Sequence, residues 1–112
     1  MSQHDPHVAL HHMLDHAREA ASLVRGKSRL HLDGDRLLQL ALTRLVEIVG
    51  EAASRVPKEL QDRHQAIPWR EIVSARNRLI HGYDSVDLDI LWEIVATDLP
   101  ALVPQIEEAL KA

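Results

Sequence analysis

The chain reads as an all-α protein, an up-and-down bundle of four to five helices, and three observations predict it. Each segment with clear periodicity repeats its apolar residues at helical spacing. No stretch alternates apolar and polar residues for long enough to make a strand. The links between periodic segments are short, which places successive helices antiparallel.

The first helix is expected to open with Asp5 as N-cap and Pro6 at the first helical position, and to run to about Gly26. Leu10, Met13, Leu14, Ala17, Ala21 and Val24 form its core face. A short polar link leads to the second helix, from Asp35 to Arg55, which Pro57 stops. Its stripe is Leu38, Ala41, Leu42, Leu45, Val49, Ala52 and Val56. Leu37, Leu40 and Ile48 widen the apolar surface beyond one stripe, which points to two burial surfaces, one inside the bundle and one against a second copy of the chain. Coverage by the chain's own neighbouring helices is the alternative. Residues 58–64 read as a short helix or turn. Pro68 starts the third main helix, ending at Gly82; Asp84 and Ser85 cap a fourth reaching Asp98; and Pro100 opens a last one reaching Leu110.

At 112 residues the chain fits one domain over its full length, residues 1–112, small enough to profit from oligomerisation. It has no cysteine, so disulfides and thiolate metal sites are excluded. Its opening residues lack the basic and apolar regions of a signal peptide, and its apolar runs are too short to span a bilayer. A cytoplasmic protein with no membrane partner is the expectation. A net charge of −4 argues against a protein that coats nucleic acid electrostatically, so any RNA contact must be local. From Arg63 to His81 the balance reverses: Arg63, Arg70, Arg76 and Arg78 face one acid, Glu71. A positive patch on an acidic body suits an enzyme gripping a few phosphates.

That patch contains the octet from Arg76 to Tyr83, which brings together an arginine, a histidine and the only tyrosine. At about 100° per residue, Ile72, Val73, Leu79 and Ile80 form an apolar arc with Arg76 near its middle. A guanidinium on an apolar stripe needs a specific partner. An ion pair with Glu47 or Glu51 on the preceding long helix would supply one without any catalytic role. His81, one residue before a glycine, also reads as a helix C-terminal cap.

Other features compete. His4, His7, His11, His12 and His16 crowd the N-terminus, and His7/His11 and His12/His16 have helical metal-site spacing, but Asp5 and Asp15 are not on a matching face, so a solvated polar face is favoured. Asp84, Asp87 and Asp89 sit at a helix start, where carboxylates cap amides rather than bind magnesium. Trp69 and Trp92 read as core fillers. There is no glycine-rich phosphate loop, zinc motif or Gly-x-Ser-x-Gly elbow, so no cofactor is expected.

Arg76, four residues, His81, one residue, Tyr83 resembles the Arg-x4-His-x-Tyr signature of HepT-like toxins in the HEPN superfamily. Gly50-Glu51-Ala52-Ala53, Ile67-Pro68-Trp69-Arg70-Glu71-Ile72, Trp92-Glu93-Ile94-Val95 and Asp98-Leu99-Pro100 are similar to the same family in the same order, over residues 35–110. The resemblance implies a HEPN bundle, a homodimer whose two motifs line a shared cleft, and a metal-independent endoribonuclease of a type VII toxin–antitoxin system, cutting tRNA or mRNA. It implies Arg76 and His81 as the catalytic pair, with Asn77 and Arg78 as neighbours able to position phosphate. It further implies a minimal nucleotidyltransferase antitoxin, MntA-like, that adds AMP to Tyr83. Gly82 stands where relatives often carry Asp, and the N-terminal histidines match no family pattern. A non-catalytic HEPN subunit that binds a nucleotidyltransferase or its nucleotide is the competing reading.

Overall fold

Apolar stripes and local stop signals divide the chain into helices. The structure is a computed structural model and describes residues 5–80 and 85–111. In chain order the elements are α1 (His7–Val24), α2 (Arg29–Asp33), α3 (Arg36–Ser54), α4 (Lys58–Arg63), α5 (Trp69–Leu79), α6 (Leu88–Glu93), a π-helical turn (Ile94–Asp98) and α7 (Leu99–Lys111). Among the described residues there is no strand; one isolated antiparallel bridge pairs Ile80 with Val86. The chain is an all-α bundle in which α1 packs against α3 and α7, and α5 closes on α3. No helix among the described residues is long and apolar enough to cross a membrane.

α1 starts one residue later than expected, at His7 with Pro6 in the cap position, although the Asp5 carboxylate still accepts the His7 N–H at 2.9 Å. Its buried face is Leu10, Met13, Leu14, Ala17, Ala20 and Val24. Ala20 therefore replaces the expected Ala21, because α1 is flanked by both α3 and α7 and its buried arc leans toward the flank holding Ala20. Gly26 takes a φ of +77°, a left-handed geometry that glycine adopts without cost, and the helix stops.

The following link is not purely irregular. Ser28 and His31 form a reciprocal capping box, with the Ser28 N–H donating to His31 Nδ1 at 2.8 Å, and α2 buries Leu32 beneath it. Arg29 then ties α2 to the start of α6 through Asp89 at 2.8 Å.

Asp35 caps α3 by accepting the Leu38 N–H at 2.9 Å. Leu38, Leu42, Leu45, Val46, Val49, Ala52 and Ala53 are buried along it. Ala41 is exposed, as are Leu37 (79%) and Leu40 (50%), so the second apolar surface of this helix is left uncovered by its own neighbours. Trp69 donates its indole N–H to the His64 carbonyl at 3.1 Å, pinning the α4–α5 corner while its ring packs on the core.

The third main helix, α5, ends at Leu79 rather than Gly82. Ile80 turns extended (φ −84°, ψ 122°) and bridges to Val86, while the Asp87 N–H reaches the Leu79 carbonyl at 2.9 Å. The pairing of these two β-branched residues outcompetes continuation of the helix at Ile80. The fourth helix is capped by Asp87, which accepts the Ile90 N–H at 3.0 Å, and not by Ser85, which is exposed and non-helical; Asp84 lies outside the described residues.

Pro100 does not open a separate helix. Helical backbone continues from Leu88 to Lys111, with the Leu99 N–H bonding the Ile94 carbonyl five residues back. A proline ring crowds the carbonyl four residues before it, and widening that turn relieves the clash without breaking the rod.

Candidate functional site

The position of Arg76 is set by how closely α5 can approach α3. At Gly50 an added Cβ would lie 3.1 Å from the Ile72 carbonyl and 3.5 Å from that of Val73, so a side chain there would push the helices apart. With glycine, the two backbones touch, and one α5 side chain reaches across: Arg76 Nε donates to Glu47 Oε2 at 2.6 Å. This is one of the two ion-pair partners the sequence offers. The pair is not buried, however, since the Arg76 side chain is 56% exposed and Glu47 23%.

Glu47 has a second cation. Arg44 Nη1 lies 3.6 Å from Glu47 Oε1 and 3.2 Å from Glu51 Oε1, so two arginines flank one shielded carboxylate. Arg44 escaped the sequence reading, although its i, i+3 and i+7 spacing to Glu47 and Glu51 was the available signal. Leu37 and Leu40, on the same α3 stripe as Arg44 and Glu47, and Val73, one turn before Arg76 on α5, are also exposed.

Asn77 is exposed, next to Arg76 in sequence. Arg78, about 200° further around α5, points to the opposite flank. There it lines an open groove of about 440 Å³ with Ile72, Ala75, Ile94 and Leu102, and its Nη2 stands 3.7 Å from Asp98 Oδ2 on the π-helical turn. The structure therefore separates Arg78 from Arg76 by the thickness of the helix. His81 and Tyr83 lie outside the described residues.

Of the N-terminal histidines, His4 lies outside the described residues. His16 turns its Nδ1 to the His12 carbonyl at 2.7 Å, and among the described residues no group of three or more His, Asp or Glu side chains is arranged to hold a metal. Asp87 caps α6 and Asp89 pairs with Arg29, as expected for carboxylates at a helix start. Trp92 packs partly buried on the core.

An all-α bundle whose α5 crosses α3 closely enough for Arg76 to reach Glu47 agrees with the HEPN bundle that the resemblance implies. The Ribonuclease HepT-like family matches residues 13–109, and the chain belongs to it. It is 36% identical over 106 residues to "Putative RNase TTE0752" of Caldanaerobacter subterraneus subsp. tengcongensis, covering 95% of each chain. It is 40% identical over 77 residues to "Probable ribonuclease HepT" of Thermococcus cleftensis, covering 69% of this chain and 70% of that one. No solved structure matches it.

Proposed function

We propose that the chain is a metal-independent endoribonuclease, the toxin of a HepT/MntA-like toxin–antitoxin pair, with Arg76 and His81 as its catalytic groups. The observation that carries this reading is the state of Arg76: its Nε edge is held by Glu47 while its side chain is 56% exposed and, among the described residues, nothing accepts from its terminal nitrogens. The ribonuclease names of its relatives support the same chemistry.

The reaction needs no metal if the ribose 2′-hydroxyl next to the scissile phosphate is the nucleophile. A base takes its proton, the 2′-oxygen bonds to phosphorus, and the 5′-oxygen leaves with a proton, giving a 2′,3′-cyclic phosphate and a free 5′-hydroxyl. Histidine, with an unperturbed pKa of about 6.5, suits either proton transfer at neutral pH, and His81 takes that role. Arg76 supplies fixed donors to the negative charge gathering on phosphorus. In this reading exposed Asn77 steadies the adjoining RNA backbone.

Two proton carriers serve this reaction better than one, and a homodimer would bring two His81 side chains to one cleft. The uncovered apolar face of α3 and α5, with Leu37, Leu40 and Val73 around the arginine strip, favours a second copy docking there. AMP transferred to Tyr83 by a nucleotidyltransferase antitoxin would put negative charge and bulk two residues from His81, opposing RNA phosphate.

Purified protein should cut tRNA or mRNA in EDTA. Arg76→Ala and His81→Ala should each lower the rate by on the order of 10²-fold or more with the circular dichroism spectrum unchanged. Cleavage retained in both variants, or no cleavage by the parent chain, would sink the assignment in favour of a non-catalytic subunit that binds a nucleotidyltransferase.

A further inference from the structure

The contact between Arg76 and Glu47 occupies only one edge of the guanidinium. Glu47 Oε2 takes the Nε–H at 2.6 Å, and among the described residues nothing takes the N–H groups of the two terminal nitrogens. The carboxylate cannot easily turn away, because Arg44 stands at its other oxygen, 3.6 Å from Oε1. The close crossing at Gly50 sets the distance between the two helices.

Exposure is graded along this contact: the anchoring acid is 23% exposed and the arginine 56%. One end of the pair is shielded by the α3–α5 packing, and the other faces solvent. An ion pair this exposed adds little to folding stability, since solvent screens it and ordering a long side chain costs entropy. Its geometry is better explained by orientation. A free arginine samples many rotamers, whereas one fixed at Nε presents a planar fork in a single direction.

We propose that Glu47 is the positioning residue of this site, with Arg44 as its brace. It holds the Nε edge of Arg76 so that both terminal nitrogens meet the scissile phosphate, and it touches neither substrate nor reacting atoms itself. This rests on the ribonuclease reading of the site.

The test uses the full chain and a defined RNA in EDTA. Glu47→Ala should lower kcat by on the order of 10²-fold with KM roughly unchanged, while Glu47→Gln, which keeps an acceptor oxygen for Nε–H, should recover part of that loss. Free guanidinium should partly rescue Arg76→Ala, where Glu47 can still bind and aim it, and should not rescue Arg76→Ala combined with Glu47→Ala. In parallel, NMR of isotope-labelled arginine should find the Arg76 Nε–Hε protected from solvent exchange in the parent chain and unprotected in Glu47→Ala, with the melting curve essentially unmoved. Parent-like kcat in Glu47→Ala, or equal guanidinium rescue with and without Glu47, overturns the proposal. If the parent chain cuts no RNA, the ribonuclease reading fails by itself, and the exchange measurement still decides whether Glu47 orients Arg76.

Discussion

The two sides of this bundle use helices of similar sequence character for opposite ends. On one side α1 packs between α3 and α7, burying Leu10, Met13, Leu42 and Ile106 completely, and an Arg18–Glu107 ion pair closes the seam. On the other, α3 and α5 approach so closely at Gly50 that an added Cβ would lie 3.1 Å from the Ile72 carbonyl, yet their outer faces leave leucines, a valine and two arginines uncovered. Apolar surface is closed off on the first side, whereas on the second the packing is tight beneath an open surface. The difference teaches that Arg76 is placed by a close helix crossing and an ion pair with Glu47, not by a pocket.

That contrast can be broken from either side. The largest stability loss is expected from Leu42→Ala, about 2–5 kcal/mol through lost burial and a residual cavity, read from the shift in a urea unfolding midpoint. A loss well under that range would mean that the sealed side is loosely packed. Gly50→Val should cost about 1–3 kcal/mol by overpacking the α3–α5 crossing, and it should reduce RNA cleavage by displacing α5 and with it Arg76. Cleavage at the parent rate in that variant would uncouple the crossing from Arg76.

Leu40→Asp should leave helical content intact, being a surface change, but shift light-scattering mass from dimer to monomer at micromolar concentration. A dimer that survives it, and survives Leu37→Asp as well, would place the interface elsewhere. The smallest effect is expected at Asp5. Its carboxyl is held below the ordinary value of 3.8, chiefly by the His7 backbone N–H it accepts, with desolvation opposing this and the His7 side chain adding a lesser lowering. A depressed carboxyl contributes stability above its unfolded value and loses it as pH falls through the lower folded value. Asp5→Ala should therefore lower the melting temperature slightly at neutral pH, and the two melting curves should converge in acid below about pH 3.8.

Much of this was legible in the sequence because helical stripes and caps are local signals. Asp5, Asp35 and the buried leucines of α3 follow from spacing alone, and the partner of Arg76 was legible since α3 offers only Glu47 and Glu51 there. What stayed hidden depends on distant residues. The end of α5 is decided by Val86 and Asp87 across the turn, which no window on α5 contains. The helical turn α2 is capped by a histidine where Glu or Gln is the usual partner, so its capping box carries no familiar pattern. The placement of Arg78 away from Arg76 was available from a helical wheel, whereas its pairing with Asp98 required the π-helical turn to bring that acid within reach.

That widened turn also sets the phase of everything after it. Each helical residue advances the wheel by about 100°, so deleting one residue between Ile94 and Asp98 would rotate α7 by that angle against α6. Leu102 and Ile106, now buried, would swing toward water, and Glu107 would lose its register with Arg18. The bundle should consequently tolerate point substitutions along this rod far better than single-residue deletions: its last helix is geared to a count of residues rather than to their identity.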